Sequence, residues 1–477
     1  MKSFNKYIIL ALMTLLFSQC DKDFLDTIPL SDLSTQSYFR TATDAENALV
    51  GCYSEVMNSQ TLWSLTIILD VTSDNNYAGG DNPGNFKFDN FERNPLISDI
   101  NSCWSGLYST INRCNNVIKY VPTISSTNEG FENRKEIILG EATFLRAYAY
   151  FNLVRIWGAV PLTITPTESV EPGAINLPRS SVDEVYAQII QDLEFCTTVL
   201  PKADVPSQQG GRATQGAAYA LLAQVYAAKS PADWSKVKEY CDEVINSDVY
   251  QLYPDYDELF TGNNNNNSES IFEIQYEQPS VTTWVYQIWC PPSLTGDTWR
   301  KFNTPSVDLV QAFRDEGDSI RLHSSILWEE IGAYWVDPVY GTVVPFVYKW
   351  RHPGGWASSD HFYVIRLAET ILLRAEARNE LNDLDGSLED LQLIRDRVDL
   401  PAKDLSSKED VQEAILLERR LELAFELYRW YDLLRTGKAI STMQNLGYDA
   451  VEPRDLLNPI PQDERNRNPN LTQNPGY

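Results

Sequence analysis

The stretch that most restricts the fold is Glu413 to Arg435, EAILLERRLELAFELYRWYDLLR. Ala414, Leu417, Leu421, Ala424, Tyr428 and Tyr431 recur at three- and four-residue steps, the period of an α-helix. A second stripe runs Leu416, Leu423, Leu427, Trp430 and Leu434. Two apolar stripes predict a helix packed on two sides. At 1.5 Å per residue it would span roughly 35 Å, with Gly437 as its stop. The charges between the stripes are spaced to pair at i,i+3: Arg419 with Glu422, Glu426 with Arg429, and Asp432 with Arg435. Each exposed pair would add about 0.2–0.5 kcal/mol. Glu418-Arg419-Arg420 reads as part of a structural ion-pair lattice, because flanking guanidiniums lower a carboxyl's pKa and spoil it as an acid or base.

Helical period dominates the rest of the chain too. Helices are expected around Thr43–Met57, over Ser102–Tyr120, and over Arg134–Trp157, where Gly158 and Pro161 end the run. Another is expected over Ser180–Leu200, with Ser181 and Glu184 as a capping box. Arg212–Asn246 reads as a helix hairpin whose Tyr219-x2-Leu222-Ala223-x2-Tyr226 has tetratricopeptide spacing with Tyr for Trp. A second hairpin covers Arg366–Arg397, and Phe144-x2-Ala147-Tyr148-x2-Phe151 is a more degenerate third copy. Insertions separate the copies, so they suit a scaffold carrying loops better than a peptide-binding groove.

Two stretches break the period. Asp70–Asn94, DVTSDNNYAGGDNPGNFKFDNFERN, has the Asn, Asp and Gly of a loop, interleaved with Tyr77, Phe86, Phe88 and Phe91. Those rings either stack a ligand or pin the loop to the body. The larger insertion, about 250–361, opens with a polyasparagine run, Asn263–Asn267, expected to be solvated, and a strand at Ile271–Tyr276. It then holds Trp284, Trp289, Trp299, Trp328, Trp335, Trp350 and Trp356, seven of the chain's 12 Trp. A small loop-rich lobe cannot easily bury that many indoles. Trp350, just before a helix hairpin, is the first expected in the core. An exposed indole suits the apolar face of a sugar ring, whose hydroxyls want Asp, Asn or Arg at the edge. The candidate ligand residues are therefore Asp74, Asn75, Asn76, Tyr77, Trp284, Trp289, Trp299 and Trp335.

The formal charge of −27 argues against a nucleic-acid partner and against docking to an anionic membrane through a basic patch. Neutral polymers meet no such objection. The chain has no H-E-x-x-H, G-x-S-x-G or P-loop, and its three His, at 323, 352 and 361, lack ligand spacing. No enzyme activity, cofactor or metal is expected. Met1–Gln19 reads as an export leader: Lys2 and Lys6 precede a Tyr7–Phe17 apolar run too short to span a bilayer. Cys20 stands where a lipid would be attached. The other six cysteines lack metal-like spacing and are expected to be mostly buried free thiols.

Several of these segments resemble one family. AILLERRLELAFELYRWYDLLR resembles the C-terminal helix of the SusD/RagB lipoproteins, which usually carry Gly where this chain has Leu427. FLRAYAYFNLVRIWGAVPL (144–162), the segments 212–226 and 366–377, the Cys20-Asp21-Lys22-Asp23 start and the closing NPIPQDERNRNPNLTQNPGY (458–477) resemble it as well, in family order. The resemblance implies a mostly α fold, with tetratricopeptide-like helix pairs forming a scaffold that carries a loop-rich lobe and a few short strands. It implies one domain over 20–477, with a scaffold over about 40–250 and 362–440 and an ordered C-terminal strap, whose prolines speak against helix. It also implies a lipid-anchored protein of the outer membrane, facing the cell exterior, that captures an oligosaccharide and hands it to a TonB-dependent (SusC-like) transporter. The competing expectation is a protein–protein adaptor or transporter lid with peptide cargo, whose indoles pack on a partner.

Overall fold

The computed structural model describes residues 38–125, 130–169, 171–203 and 210–477. The expected leader and Cys20 lie outside the described residues. The fold is mostly α. Its frame runs through α1 (Ala42–Val56), α2 (Ser98–Tyr120), α3 (Phe131–Trp157), α4 (Val182–Val199), α5 (Gln215–Ala228) and α6 (Trp234–Ile245). It resumes with α7 (Leu367–Glu380), α8 (Leu384–Asp396), α9 (Lys408–Glu422) and α10 (Arg429–Arg435). From α1 to α9 each of these helices packs on the next, as in a solenoid of helix pairs. The expected capping box is present: the Ser181 hydroxyl accepts from Glu184 N–H, and the Glu184 carboxylate accepts from Ser181 N–H.

Two of the helix pairs share one internal tie. Arg146 of α3 grips Asp192 of α4 with two hydrogen bonds of 2.8 and 2.7 Å, and Arg374 of α7 grips Asp390 of α8 at 2.9 and 2.7 Å. The two arginines occupy matching places in Phe144-Leu145-Arg146-Ala147 and Leu372-Leu373-Arg374-Ala375. Bidentate charged bonds of this kind fix orientation as well as adding energy, so the degenerate repeat carries its own docking device.

The expected 23-residue helix is two helices. It stops after Glu422 and restarts at Arg429, with Phe425 and Leu427 at φ 68° and 66°. The cause is tertiary. The Glu422 carbonyl, which a continuing helix would have used, accepts from Lys349 Nζ (3.0 Å), Arg366 (2.7 Å) and the Tyr256 hydroxyl (2.9 Å). A helix C-terminus leaves carbonyls unpaired and welcomes cations. A left-handed backbone costs an L-residue roughly 1–2 kcal/mol, which burial of Phe425 and Leu427 offsets. Glycine at 427, usual in the resembled family, would avoid that cost and forgo the burial.

Only one of the three expected i,i+3 pairs forms, Asp432 with Arg435. The other charges reach across the fold and are buried. Arg419 pairs with Glu369 and Asp432, and Glu426 with Arg366 and Lys349. Glu422 meets Arg321, Arg366 and Arg397, while Glu418 meets Arg321 and Arg395. This is the expected lattice, but it cross-links helices instead of decorating one. Burial brings the Lys349 ammonium down to about 8 against the pull of Glu426.

Asp70 closes the same break from the other side. It accepts from Leu427 N–H and, at 3.3 Å, from Asn303. Burial pushes its carboxyl up to about 7 against those bonds, with Glu426 adding to the rise and Lys349 opposing it. A folded-state pKa raised above the unfolded value contributes stability that is present at low pH and lost as pH rises through 7. Asp70→Asn, which cannot ionise, is therefore expected to gain about 2–3 kcal/mol on the wild type between pH 4 and pH 8. Urea melts at pH 4, 6 and 8 check this; a constant difference would contradict it.

The strands are short: β1 (Asn76–Tyr77), β2 (Ser270–Ile274), β3 (Thr304–Pro305), β4 (Ile326–Glu330), β5 (Val343–Val347) and β6 (Phe362–Arg366). They form antiparallel pairs β1–β3, β2–β6 and β4–β5. In the polyasparagine run only Asn263 and Asn265 are exposed. Asn266 N–H donates to Glu273 and the Asn267 amide to the Tyr363 hydroxyl, which fold the run back onto β2 and β6. The tail is an ordered strap held by Asn474, whose amide donates to the carbonyls of Trp157 (3.1 Å) and Asn458 (2.7 Å). Against expectation it contains a short helix, Gln462–Arg467. Pro461 and Pro469 bracket this helix, where their missing N–H groups cost nothing. The six cysteines beyond Cys20 are buried free thiols.

Candidate functional site

Two loops of the lobe meet at Gln287, which is buried. Its Nε2 donates to Asp297 Oδ2 (2.6 Å) and to the Thr295 carbonyl (2.9 Å), and its Oε1 accepts from Trp356 N–H (3.4 Å). Asp297 Oδ1 in turn accepts from Lys301 Nζ (2.8 Å) and from Trp299 N–H (3.1 Å). Burial works to raise the Asp297 carboxyl, but Lys301 and Gln287 hold it below its usual value. One buried amide and one ionised carboxylate thus fix the backbone beneath both Trp299 and Trp356.

These two indoles face solvent. Trp299 is 56% exposed and Trp356 is 42% exposed, and their rings meet edge to face with centroids 5.4 Å apart. Trp356 sits at φ 76°, and the two residues before it, Gly354 and Gly355, are at φ 62° and 59°. A Cβ on Gly354 would come within 2.6 Å of the Ala357 carbonyl oxygen. A bulky residue at positive φ is a true outlier, and such strain gathers at functional positions. Trp335 lies alongside, half-buried, its Nε1 donating to the Thr298 carbonyl (3.2 Å), with the Arg300 guanidinium over its ring at 5.8 Å. The result is an open aromatic shelf edged by charge. It can stack a flat apolar face and offer polar edges, but it assembles no nucleophile and base.

Residues 339–477 match a profile described as the SusD family, and residues 23–227 match one described as starch-binding associating with outer membrane. A SusD-like protein of Bacteroides ovatus is 28% identical over 468 residues, covering 90% of this chain and 82% of that protein. A SusD-like protein of Formosa agariphila is 27% identical over 528 residues, covering 100% of both chains. A solved structure titled laminarin binding SusD-like protein is 28% identical and superposes with a TM-score of 0.77 over 92% of this chain and 100% of that one. The chain belongs to the SusD/RagB family. A SusD superfamily protein of Bacteroides vulgatus, 23% identical, shares the fold with a TM-score of 0.79 over 92% of this chain and 100% of that one.

Within this SusD/RagB protein the candidate ligand residues divide. Asp74, Asn75, Asn76 and Tyr77 are buried, not displayed on a solvated loop. Asp74 takes two bonds of 2.7 Å from Arg429 and an ion pair with Arg420 at 3.2 Å. Burial would raise its carboxyl, yet Arg420 and Arg429 hold it low. Asn75 Oδ1 accepts from Arg420 (2.8 Å), the Asn76 amide donates to Asn303 Oδ1 (2.6 Å), and the Tyr77 hydroxyl donates to Asp337 (2.8 Å). Around them, Asp70–Asn94 becomes a turn of π-helix, β1 and the helix Pro83–Asp89, with Phe88 and Phe91 in the core. The segment supports the lobe from beneath, and the four candidate residues in it are turned into the interior.

Trp289 is fully buried, packed on Tyr286 and Trp350 at 5.3 and 5.2 Å, and so cannot meet a ligand. Trp350 is in the core, as expected. Trp284 is half-buried against Trp63, 6.0 Å away. Trp299 is at the shelf, and Trp335 is tied to the same loop through the Thr298 carbonyl. Trp356, Arg300 and Gln287 were not singled out by sequence reasoning, although the Gly354-Gly355 doublet before Trp356 signals a turn that can present a side chain. A cavity of about 720 Å³ is elsewhere, lined by Arg155, Tyr186, Gln224, Trp234 and Tyr431. A flat stacking shelf encloses no volume, so cavity size is a poor guide to it.

Proposed function

We propose that this protein binds carbohydrate at the cell surface and passes oligosaccharides to a partner TonB-dependent transporter of the outer membrane, held there by a lipid on Cys20. The observation that carries the reading is the exposed Trp299–Trp356 pair, fixed from below by Gln287 and Asp297. Sugar rings present apolar CH faces that stack on indoles, and hydroxyls that bond to charged and amide edges. Relatives whose names state laminarin binding or surface glycan binding support it, as does the family description of starch binding with the outer membrane. Among the described residues no helix is long and apolar enough to cross a membrane. One domain over 20–477, with no catalytic step, is part of the same proposal.

The test is intrinsic fluorescence of the full chain in detergent, titrated with a panel of plant, algal and host oligosaccharides. A saturable quench or blue shift is the expected result. A second reading, a protein-docking face, draws on the exposed Tyr334, Val336 and Val339 in the turn between β4 and β5. Silence across the whole panel would favour it and would sink glycan capture.

A further inference from the structure

The shelf carries a cation that the rest of the chain leaves unneutralised. Acidic side chains outnumber Lys and Arg by 66 to 39, and most described guanidiniums pair with a carboxylate, while Arg155, Arg179 and Arg465 bond to carbonyl and amide oxygens instead. Arg366, Arg397, Arg321 and Arg395 each hold two or more. Arg300 is different. Among the described residues it makes no hydrogen bond and no ion pair, and its one contact is the ring of Trp335 at 5.8 Å. The acids on the neighbouring loops are turned to other work. Asp297 serves Lys301, Gln287 and Trp299 N–H; Glu329 accepts from Ser293 N–H; Glu330 accepts from Gly332 N–H and Thr342. Arg314 repeats the arrangement over Trp328 at 5.9 Å, again without a carboxylate, so both indoles of the β4–β5 segment carry a free guanidinium.

Stacking on a ring face leaves the five N–H groups of a guanidinium pointing outward in a planar fork. That fork fits an anionic oxygen pair, and a charge-assisted bond is roughly twice as strong as one to a neutral hydroxyl. A hydroxyl would be served equally well by the amides and carboxylates abundant in this chain. We infer that the sugar seated beside Trp299 bears an anionic group, a carboxylate or a sulfate, which Arg300 recognises. The inference rests on the proposed glycan-binding role of the shelf. The remaining surface repels polyanions, but at physiological ionic strength that field is screened beyond about 8 Å. Short oligosaccharides are therefore the right probes.

An array of neutral, uronate-bearing and sulfated oligosaccharides, probed with the full chain in detergent, tests it, followed by calorimetry on the tightest binder. The expected result is that acid-bearing sugars dominate, that Arg300→Gln weakens them by about tenfold or more, and that Arg300→Lys restores part of the loss. Melting temperatures should be unchanged in both variants. Whether uronates or sulfates bind identifies the anion. Capture of neutral sugars alone, or acid-sugar binding indifferent to Arg300→Gln, overturns this inference and leaves glycan capture standing. Binding of no sugar on the array overturns the role beneath it and this inference with it.

Discussion

Glu422→Gln is expected to lower stability at pH 7 by about 3–5 kcal/mol, the range for removing one member of a buried ion cluster. The side chain is fully buried and meets Arg321, Arg366 and Arg397. Burial by itself would raise its carboxyl, but Arg397, Arg366 and Arg321 outweigh that and hold it far below the usual carboxylate range. Glutamine keeps the shape and removes the charge, so three guanidiniums lose their common counter-ion in a fully buried site. Arg366 would keep Glu269 and Glu426, and Arg321 would keep Asp318 and Glu418, so the cluster weakens without dissolving. A depressed folded-state pKa contributes stability that is present above the unfolded value and lost as pH falls toward the folded one. The gap between wild type and variant should therefore narrow below about pH 4.5. Denaturant melts at pH 7 and pH 4 measure both numbers. A loss under 1 kcal/mol at pH 7 would mean that the cluster is not what joins α9 to the lobe.

That cluster also marks where sequence reasoning reaches its limit. The helices were legible because their signals are local: the Ser181–Glu184 capping box, the tetratricopeptide spacing at Tyr219–Tyr226, and the Gly158 stop at φ 71°. The break between α9 and α10 was not. Nothing in LELAFELYR itself ends a helix, and the groups that do so arrive from Tyr256, Lys349 and Arg366. The same distance misleads at Asp70–Asn94. Its polar residues suit a solvated loop until Arg420, Arg429 and Asn303 satisfy them in the interior. The indoles show it most sharply. Trp289 and Trp299 stand ten residues apart in equally irregular sequence. One is sealed on Trp350 and the other stands in solvent, and only the tertiary packing of the lobe tells them apart.

Trp299→Ala and Trp356→Ala are each expected to weaken glycan binding by about tenfold to thirtyfold, since truncating an aromatic anchor commonly costs about 1.4–2 kcal/mol or more. Both side chains are largely outside the core, so Trp299→Ala should move stability by no more than about 0.5 kcal/mol. Position 356 allows a sharper test, because its backbone lies at φ 76°. Alanine inherits that strain, whereas glycine is free of it at positive φ. Trp356→Gly should therefore be more stable than Trp356→Ala by about 1 kcal/mol while binding no better. If the strained indole is kept for its ligand, the glycine variant separates the two quantities, with stability rising as affinity falls. Calorimetric titration beside thermal melts on the same preparations reads both. Unchanged affinity in both alanine variants would remove the shelf from the binding site. A glycine variant no more stable than alanine would mean that the φ at 356 is relaxed by its neighbours, and that Trp356 is held out to solvent at no cost to the fold.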